Sequence, residues 1–346
     1  MLTMKAAWIT RAGGPEVLEI RPVPRPVVSA DQVLVKVQAS ALNRADLLQR
    51  QGRYPAPAGF PAEIPGLEFA GEIAETGPLA RLWKPGQRVF GLTGGGAHAE
   101  YIATHERLLA EIPDNLTWTE AGAVPEAFIT AHDALWKQAA LRPGETVLIH
   151  SVGSGVGLAA VRLTRAINAV PYGTSRTPEK LDEAIRRGME AGAVVRNDSS
   201  KNDAAQNKDD PHSFDALIAL AEKWTAGRGI NVVLDLAGGP YVKASQKLMA
   251  VRGRMILVGS VAGAAYELES RYVMSKRLTV QGTVLRARSL EEKIEVTQAF
   301  AAEVVPLFAK GVLRPDIDST FKMDQIAKAH ERLESNRTTG KVVVEW

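Results

Sequence analysis

Short runs of β-type residues, broken by Gly and Pro, occupy roughly the first 125 positions, over residues 32–38, 71–76, 87–91 and 100–103. Apolar β-branched and aromatic runs of this length form strands, and the Gly and Pro breaks between them mark short turns. The pattern predicts an antiparallel, barrel-like domain. From about Glu126 the rhythm changes to strands at 146–150, 169–174, 231–235 and 254–258, alternating with helices at 155–167, 178–188, 214–226 and 241–248. That alternation is the signature of a parallel sheet with crossover helices. Pro171, inside the second of these strands, points to an edge or a strand start, because proline cannot donate to a ladder. Beyond about Ser289 the pattern predicts two more helices and a closing strand at 341–345 that rejoins the first domain.

The chain is 346 residues long, more than one ordinary domain needs, so two domains with a cleft between them are expected. The boundaries fall at 1–125, completed by about 290–346, and at 126–289. Hydrophobic residues make up 45% and charged residues 23%, which excludes a mostly disordered or fibrous chain. The 42 basic and 39 acidic residues are scattered, without the Lys/Arg cluster that neutralises a phosphate backbone, so nucleic acid is not an expected partner. No stretch approaches the roughly 18 apolar residues of a membrane span, and the expected compartment is the cytoplasm. There is no cysteine, which removes disulfides, thiolate metal sites and cysteine nucleophiles from consideration. Residues 197–212 carry nothing apolar larger than alanine and are expected to form a mobile surface loop.

The strongest chemical signal is the strand Thr146-Val-Leu-Ile-His150, the turn Ser151-Val-Gly-Ser-Gly-Val-Gly157, and the helical run that follows. Glycines let a backbone approach a pyrophosphate closely, and the free amides and dipole of a helix N-terminus offset its charge. Gly153, Gly155 and Gly157 do not follow the usual G-x-G-x-x-G register, so an ordinary strand-to-helix turn remains the alternative. An NAD enzyme places an acid at the end of the next strand. Here the chain reads Gly173-Thr-Ser-Arg-Thr-Pro-Glu-Lys180, where Arg176 and Lys180 suit a 2′-phosphate and point to NADPH. Alternatively, those two cations decorate a solvated helix start capped by Thr177.

These residues resemble the medium-chain dehydrogenase/reductase superfamily, and within it the zinc-free quinone oxidoreductases related to zeta-crystallin. The likeness is strongest to the branch containing the tumour-suppressor-induced quinone reductase. It rests on Asn43-Arg-Ala-Asp-Leu-Leu-Gln-Arg-Gln-Gly-Arg-Tyr54, Pro65-Gly-Leu-Glu-Phe-Ala-Gly71, Gly94-Gly-Gly-Ala-His-Ala-Glu-Tyr101, Pro125-Glu-Ala-Phe-Ile-Thr-Ala-His132, Ser154-Gly-Val-Gly157 and Gly282-Thr-Val-Leu-Arg-Ala-Arg-Ser-Leu-Glu-Glu-Lys293. The resemblance implies an α/β chain: a GroES-like β-barrel-type catalytic domain plus a Rossmann domain with a doubly wound parallel sheet, usually as a homodimer. It implies cofactor contacts at Asn43, Tyr54, Thr130, Ser154, Gly155, Val156, Gly173, Ser175, Arg176, Lys180, Val258, Gly259, Leu285 and Lys341. Asn43 and Tyr54 would also orient the substrate; otherwise they are a turn asparagine and a tyrosine packed beside Pro55. Gly94, Gly95 and Gly96 line the cleft or simply form a hairpin turn. Relatives carry Asn-Tyr after the third Rossmann strand, where this sequence has Asn197-Asp198.

In the places where alcohol dehydrogenases of the superfamily hold catalytic zinc, this sequence has Asn43, Leu67 and Glu126. Leucine ligates nothing, and His98, His105 and His132 are scattered in the manner of surface or core histidines, so no metal is expected. Without a Lewis acid the substrate should be a ready electrophile, a small quinone or enone. Hydride transfer then needs mainly that nicotinamide and acceptor be held at contact in a water-poor site. An enoyl-thioester or alkenal reductase of the same fold is the alternative enzyme. A crystallin-like or RNA-associated protein that binds NADPH without turnover is the alternative outside enzymes.

Overall fold

The computed structural model describes residues 2–196 and 210–346. Most of the polar stretch 197–212, with Asn197 and Asp198, lies outside the described residues. The chain forms two compact units, one of Met1–Thr130 with Leu285–Trp346, the other of Ala131–Val284.

The first unit opens with a hairpin of β1 (Thr3–Ile9) and β2 (Leu18–Pro24), paired antiparallel from Thr3 opposite Pro24 to Ile9 opposite Leu18. Next come β3 (Gln32–Leu42), α1 (Arg44–Arg50), β4 (Glu68–Thr76), β5 (Arg88–Leu92), β6 (Tyr101–His105), β7 (Leu109–Glu111), α2 (Trp118–Gly122) and α3 (Pro125–His132). β3 is the spine of this unit. One edge pairs antiparallel with β4, and the other pairs with β6 over its first half. Val33, Leu34, Val35, Val37, Ala39, Ala41 and Leu42 are all buried, so β3 is covered on both faces along most of its length.

The second unit carries β8 (Thr146–Ile149), α4 (Gly155–Ala166), β9 (Val170–Ser175), α5 (Pro178–Arg186), β10 (Ala191–Val194), α6 (Phe214–Thr225), β11 (Ile230–Asp235), α7 (Pro240–Leu248), β12 (Met249–Leu257), α8 (Ser270–Lys276) and β13 (Thr279–Gly282). The six strands are parallel in the order β10-β9-β8-β11-β12-β13. This is the doubly wound arrangement, in which the strand order reverses between β8 and β11. Leu148, Val233, Met255 and Tyr172 from the sheet meet Leu217, Ala221, Val242 and Leu248 from the helices in one core. Pro171 sits at a strand start, as expected. It lies in β9, paired on both sides, opposite Val147, and its carbonyl accepts from the Glu190 amide. As the second residue of the strand it costs the sheet one donor at the entry and none in the centre.

The chain then returns to the first unit with α9 (Leu290–Glu303), α10 (Val305–Ala309), β14 (Ile317–Lys322), α11 (Ile326–Glu334) and β15 (Lys341–Glu345). The sequence pattern predicted two helices here, and there are three, with a strand among them. A new short helix starts at Val305, one residue after Val304, the C-cap of α9, and Pro306 at its second position splits what reads as one helical run. β15 pairs antiparallel with β3 from Val342 opposite Leu42 to Glu345 opposite Ala39, and β14 lies parallel to its other edge.

Candidate active site

In the second unit, the carboxyl ends of β8, β9, β11 and β12 share one end of the parallel sheet, where ligands of such folds sit. The turn after β8 begins at His150, buried, with Nδ1 at 2.9 Å from the Thr174 hydroxyl and Nε2 at 2.9 Å from the Ser245 hydroxyl. Burial lowers the pKa of this imidazole, against the opposing effect of Asp235, so it is a neutral bridge between β8, β9 and α7. Ser154 caps α4: its Oγ accepts from the Gly157 amide at 3.0 Å, and its carbonyl accepts the first helical bond, from Leu158. The amides of Gly155 and Val156 precede that first bond, at a helix start that is exposed at Ser154. Gly157 has a packing reason. A methyl there would lie 2.4 Å from the Val152 carbonyl oxygen.

Gly173 is buried in β9, where a methyl would meet the Met189 sulfur at 2.6 Å. Ser175 ends the strand, buried, and accepts from the Thr177 amide at 3.3 Å; Arg176 follows it, exposed. Lys180 lays its methylenes over Gly153, 2.8 Å from where a methyl would stand. Thr177 occupies the N-cap position of α5 but makes no side-chain cap. Val258 and Gly259 donate their amides to the Asp235 carbonyl at 2.9 and 3.3 Å. One oxygen of the buried Asp235 carboxylate accepts from the amides of Ala237 and Gly238, and its other oxygen has no hydrogen-bond partner among the described residues. An open helix start and an exposed arginine fit the diphosphate and phosphate of a dinucleotide, while the glycines of the turn and of β9 make room for Lys180, Val152 and Met189.

In the first unit, Asn43 is the N-cap of α1. Its Nδ2 donates to Glu68 at 2.9 Å, its Oδ1 accepts from the Lys341 ammonium at 2.6 Å, and its amide donates to Asp46 at 2.7 Å. Lys341, buried, also donates to the Leu42 carbonyl at 3.0 Å and pairs with Glu68 at 2.6 Å. Its three protons thus have three internal acceptors, and it braces β15 against β3 and β4 instead of offering an open charge. The other Glu68 oxygen accepts from the Glu126 amide, tying the start of α3 to the same knot. Thr130 lies buried further along α3.

Leu285 opens a pocket lined by Leu92, Thr93, Glu126, Arg286, Lys293 and Val296, about 310 Å³ including its mouth. The Arg286 guanidinium sits 4.8 Å over the Tyr54 ring and donates to the Gly94 and Tyr54 carbonyls and to the Gln49 side chain. The Lys293 ammonium lies 5.3 Å over Phe60, whose ring occupies the space a side chain at Gly94 would need. Gly94 is therefore a packing glycine. Burial and the Glu68 carboxylate push the Glu126 carboxyl up to about 8, although Lys341 and Arg286 pull it down. Glu126 is thus protonated at neutral pH and faces the pocket as a donor. Arg286 and Lys293 escaped sequence reasoning, although they stand one and eight residues after Leu285 in a quoted motif. Glu126 entered it only as the residue standing in one of the superfamily's zinc-ligand places.

Residues 29–114 match the family profile of the alcohol dehydrogenase GroES-like domain, and residues 189–344 that of zinc-binding dehydrogenases. Fold and profiles together define a two-domain member of the medium-chain dehydrogenase/reductase superfamily, with a GroES-like domain and a Rossmann-type domain. The quinone oxidoreductase of Lama guanicoe is 32% identical over 344 residues, 99% of this chain and 97% of that protein. The quinone oxidoreductase of Pseudomonas aeruginosa is 32% identical over 333 residues, 96% of each chain. A mycobacterial protein solved in complex with NADPH superposes with a TM-score of 0.84 at 25% identity, over 99% of this chain and 100% of that one. The chain belongs to the zeta-crystallin-like quinone oxidoreductase family.

The second profile carries zinc in its description, and the residues here do not fit that ion. Leu67 is buried and apolar, Asn43 is committed to Lys341 and Glu68, and the described residues hold no group of three His, Asp or Glu arranged for a metal. His98 and His132 are buried, and His105 pairs with Asp31 at 3.1 Å. Nor is any helix among the described residues long and apolar enough to cross a membrane.

Proposed function

We propose that this chain is an NADPH-dependent, zinc-independent reductase of quinones and other conjugated carbonyls, acting in the cytoplasm as a homodimer. The observation that carries the reading is the exposed start of α4 beside an exposed Arg176, with no acid at the end of β9. The amides of Gly155 and Val156 would receive the diphosphate. Arg176, with Lys180 behind it, would receive the 2′-phosphate that separates NADPH from NADH. Bound NADPH supplies the hydride. The protein's part is to position an electrophilic acceptor and, through the protonated Glu126, to donate to an oxygen gaining negative charge. That donor also keeps the second reading open, an alkenal or enoyl-thioester reductase, since such acceptors pass through an enolate.

Nicotinamide fluorescence titration tests the coenzyme assignment. Wild type should bind NADPH more tightly than NADH, and Arg176→Ala should weaken NADPH about tenfold more than NADH, in line with a charge-assisted bond of about 1.5–3 kcal/mol. Equal affinities in the wild type would sink the role given to Arg176. Stoichiometric zinc in the purified protein would overturn the metal-free chemistry.

A further inference from the structure

The pocket behind Leu285 is electrically unbalanced. Arg286 is buried, and among the described residues every hydrogen-bond acceptor it meets is neutral, two carbonyls and an amide side chain, while the Asp46 carboxylate favours its charge only from a distance. Lys293 is half-buried at the start of α9, and among the described residues its ammonium has a ring beneath it and no carboxylate. Of the acids nearby in sequence, Glu291 pairs with Arg107, Glu292 caps at Ser289, and Glu295 is exposed, without an ion pair to Lys293 among the described residues. Glu126, the acid among the lining residues, is held neutral, and burial, with Arg286 second, depresses the Lys293 ammonium. Two neighbouring cations in a partly apolar hollow repel each other and are poorly solvated, an arrangement that costs stability until an anion enters. Leu92, Leu285 and Val296 supply apolar walls, and Tyr54 and Phe60 lie beneath the two cations.

We infer that this pocket selects acceptors carrying an anionic substituent, a planar conjugated carbonyl compound with a carboxylate or sulfonate group, held by Lys293 with support from Arg286. The inference deepens the quinone-reductase reading and rests on it.

The test compares 1,2-naphthoquinone with 1,2-naphthoquinone-4-sulfonate under NADPH, reading kcat/KM for each in wild type, Lys293→Met and Lys293→Arg. The ratio of sulfonated to unsubstituted quinone should fall about tenfold in Lys293→Met and recover within about twofold of wild type in Lys293→Arg. Using the ratio cancels the difference in intrinsic reactivity between the two quinones. The NADPH dissociation constant is measured in parallel. An unmoved ratio, or a shift in NADPH affinity in its place, overturns the inference and leaves the reductase assignment standing. If wild type reduces neither quinone, the reductase assignment fails instead. Calorimetric binding of naphthalene-2-sulfonate against neutral 2-naphthol then decides the pocket: preference for the anion that Lys293→Met abolishes supports it, and equal binding overturns it.

Discussion

At the scale of single residues, Glu126 has the most distinctive chemistry. Its carboxyl is raised from the usual range near 4.5 to about 8, by burial first and by the Glu68 carboxylate second. Between those two values the native state holds a proton that the unfolded chain has released. Stability therefore falls as pH rises from about 4.5 to about 8 and levels off above, by an amount on the order of 5 kcal/mol. Glu126→Gln keeps the neutral shape and removes the titration. Thermal melting of both proteins from pH 5 to 8.5 should show the wild type losing stability relative to the variant as pH rises, and a constant difference would refute the raised carboxyl. His98, His150 and His330 have lowered values because they are buried, and they act with the opposite sign, costing stability as pH drops below 6.5. They are common to both proteins and cancel in the comparison. None of this was legible in the sequence, where Glu126 is one acid in a motif: its state depends on Glu68, Asp46, Lys341 and Arg286, which are distant in the chain. Lys341 illustrates the same limit. Its likeness to a coenzyme contact in relatives gave no hint that three internal acceptors take up its ammonium.

At the scale of elements, α4 joins sequence to site most directly. Its start could be read in advance because capping chemistry is local: a serine, two glycines and an apolar run fix where the helix begins whatever surrounds it. Ser154→Ala removes the bond to the Gly157 amide and should cost about 1 kcal/mol in chemical denaturation. Gly157→Ala should cost more, on the order of 2 kcal/mol, and weaken NADPH binding. Its methyl meets rigid backbone at 2.4 Å, so the helix start must move away from the turn after β8. If Gly157→Ala proves the milder of the two, the close approach has been misjudged. The strand β15 was legible to the residue, because Val342, Val343 and Val344 between Lys341 and Glu345 form a β-branched run with clear ends. β14 was not: Ile317-Asp-Ser-Thr-Phe-Lys322 is polar and half-exposed, and its parallel partner β15 lies about twenty residues on. Likewise, the five-residue α2 and the three-residue β7 are held by their neighbours more than by their own pattern, which is too short to repeat.

At the scale of the whole molecule, the homodimer proposal turns on the far edge of the six-stranded sheet. β13 pairs with β12 on one side and, among the described residues, is the last strand on the other, so half of its amides and carbonyls face outward. Proteins blunt such edges with charges, proline or a covering helix; here Thr279-Val-Gln-Gly282 carries neither charge nor proline. Large apolar side chains nearby in the chain are exposed as well: Tyr266, Leu268, Met274 on α8, which leads into β13, and Val284 two residues past its end, with Met274 and Val284 at 69% and 50%. An uncharged open edge accompanied by apolar surface calls for a partner, and a second copy related by a twofold axis would lay β13 antiparallel against itself, closing both edges at once. Sedimentation should then find a species of about twice 37.2 kDa at micromolar concentration. Met274→Asp with Val284→Asp should release monomers that keep their far-UV circular dichroism, because neither side chain belongs to a core. Their melting temperature should lose the dependence on protein concentration that a dimer confers. A wild type that sediments as a monomer, or a doubly substituted protein that stays dimeric, would leave β13 as an edge protected by other means.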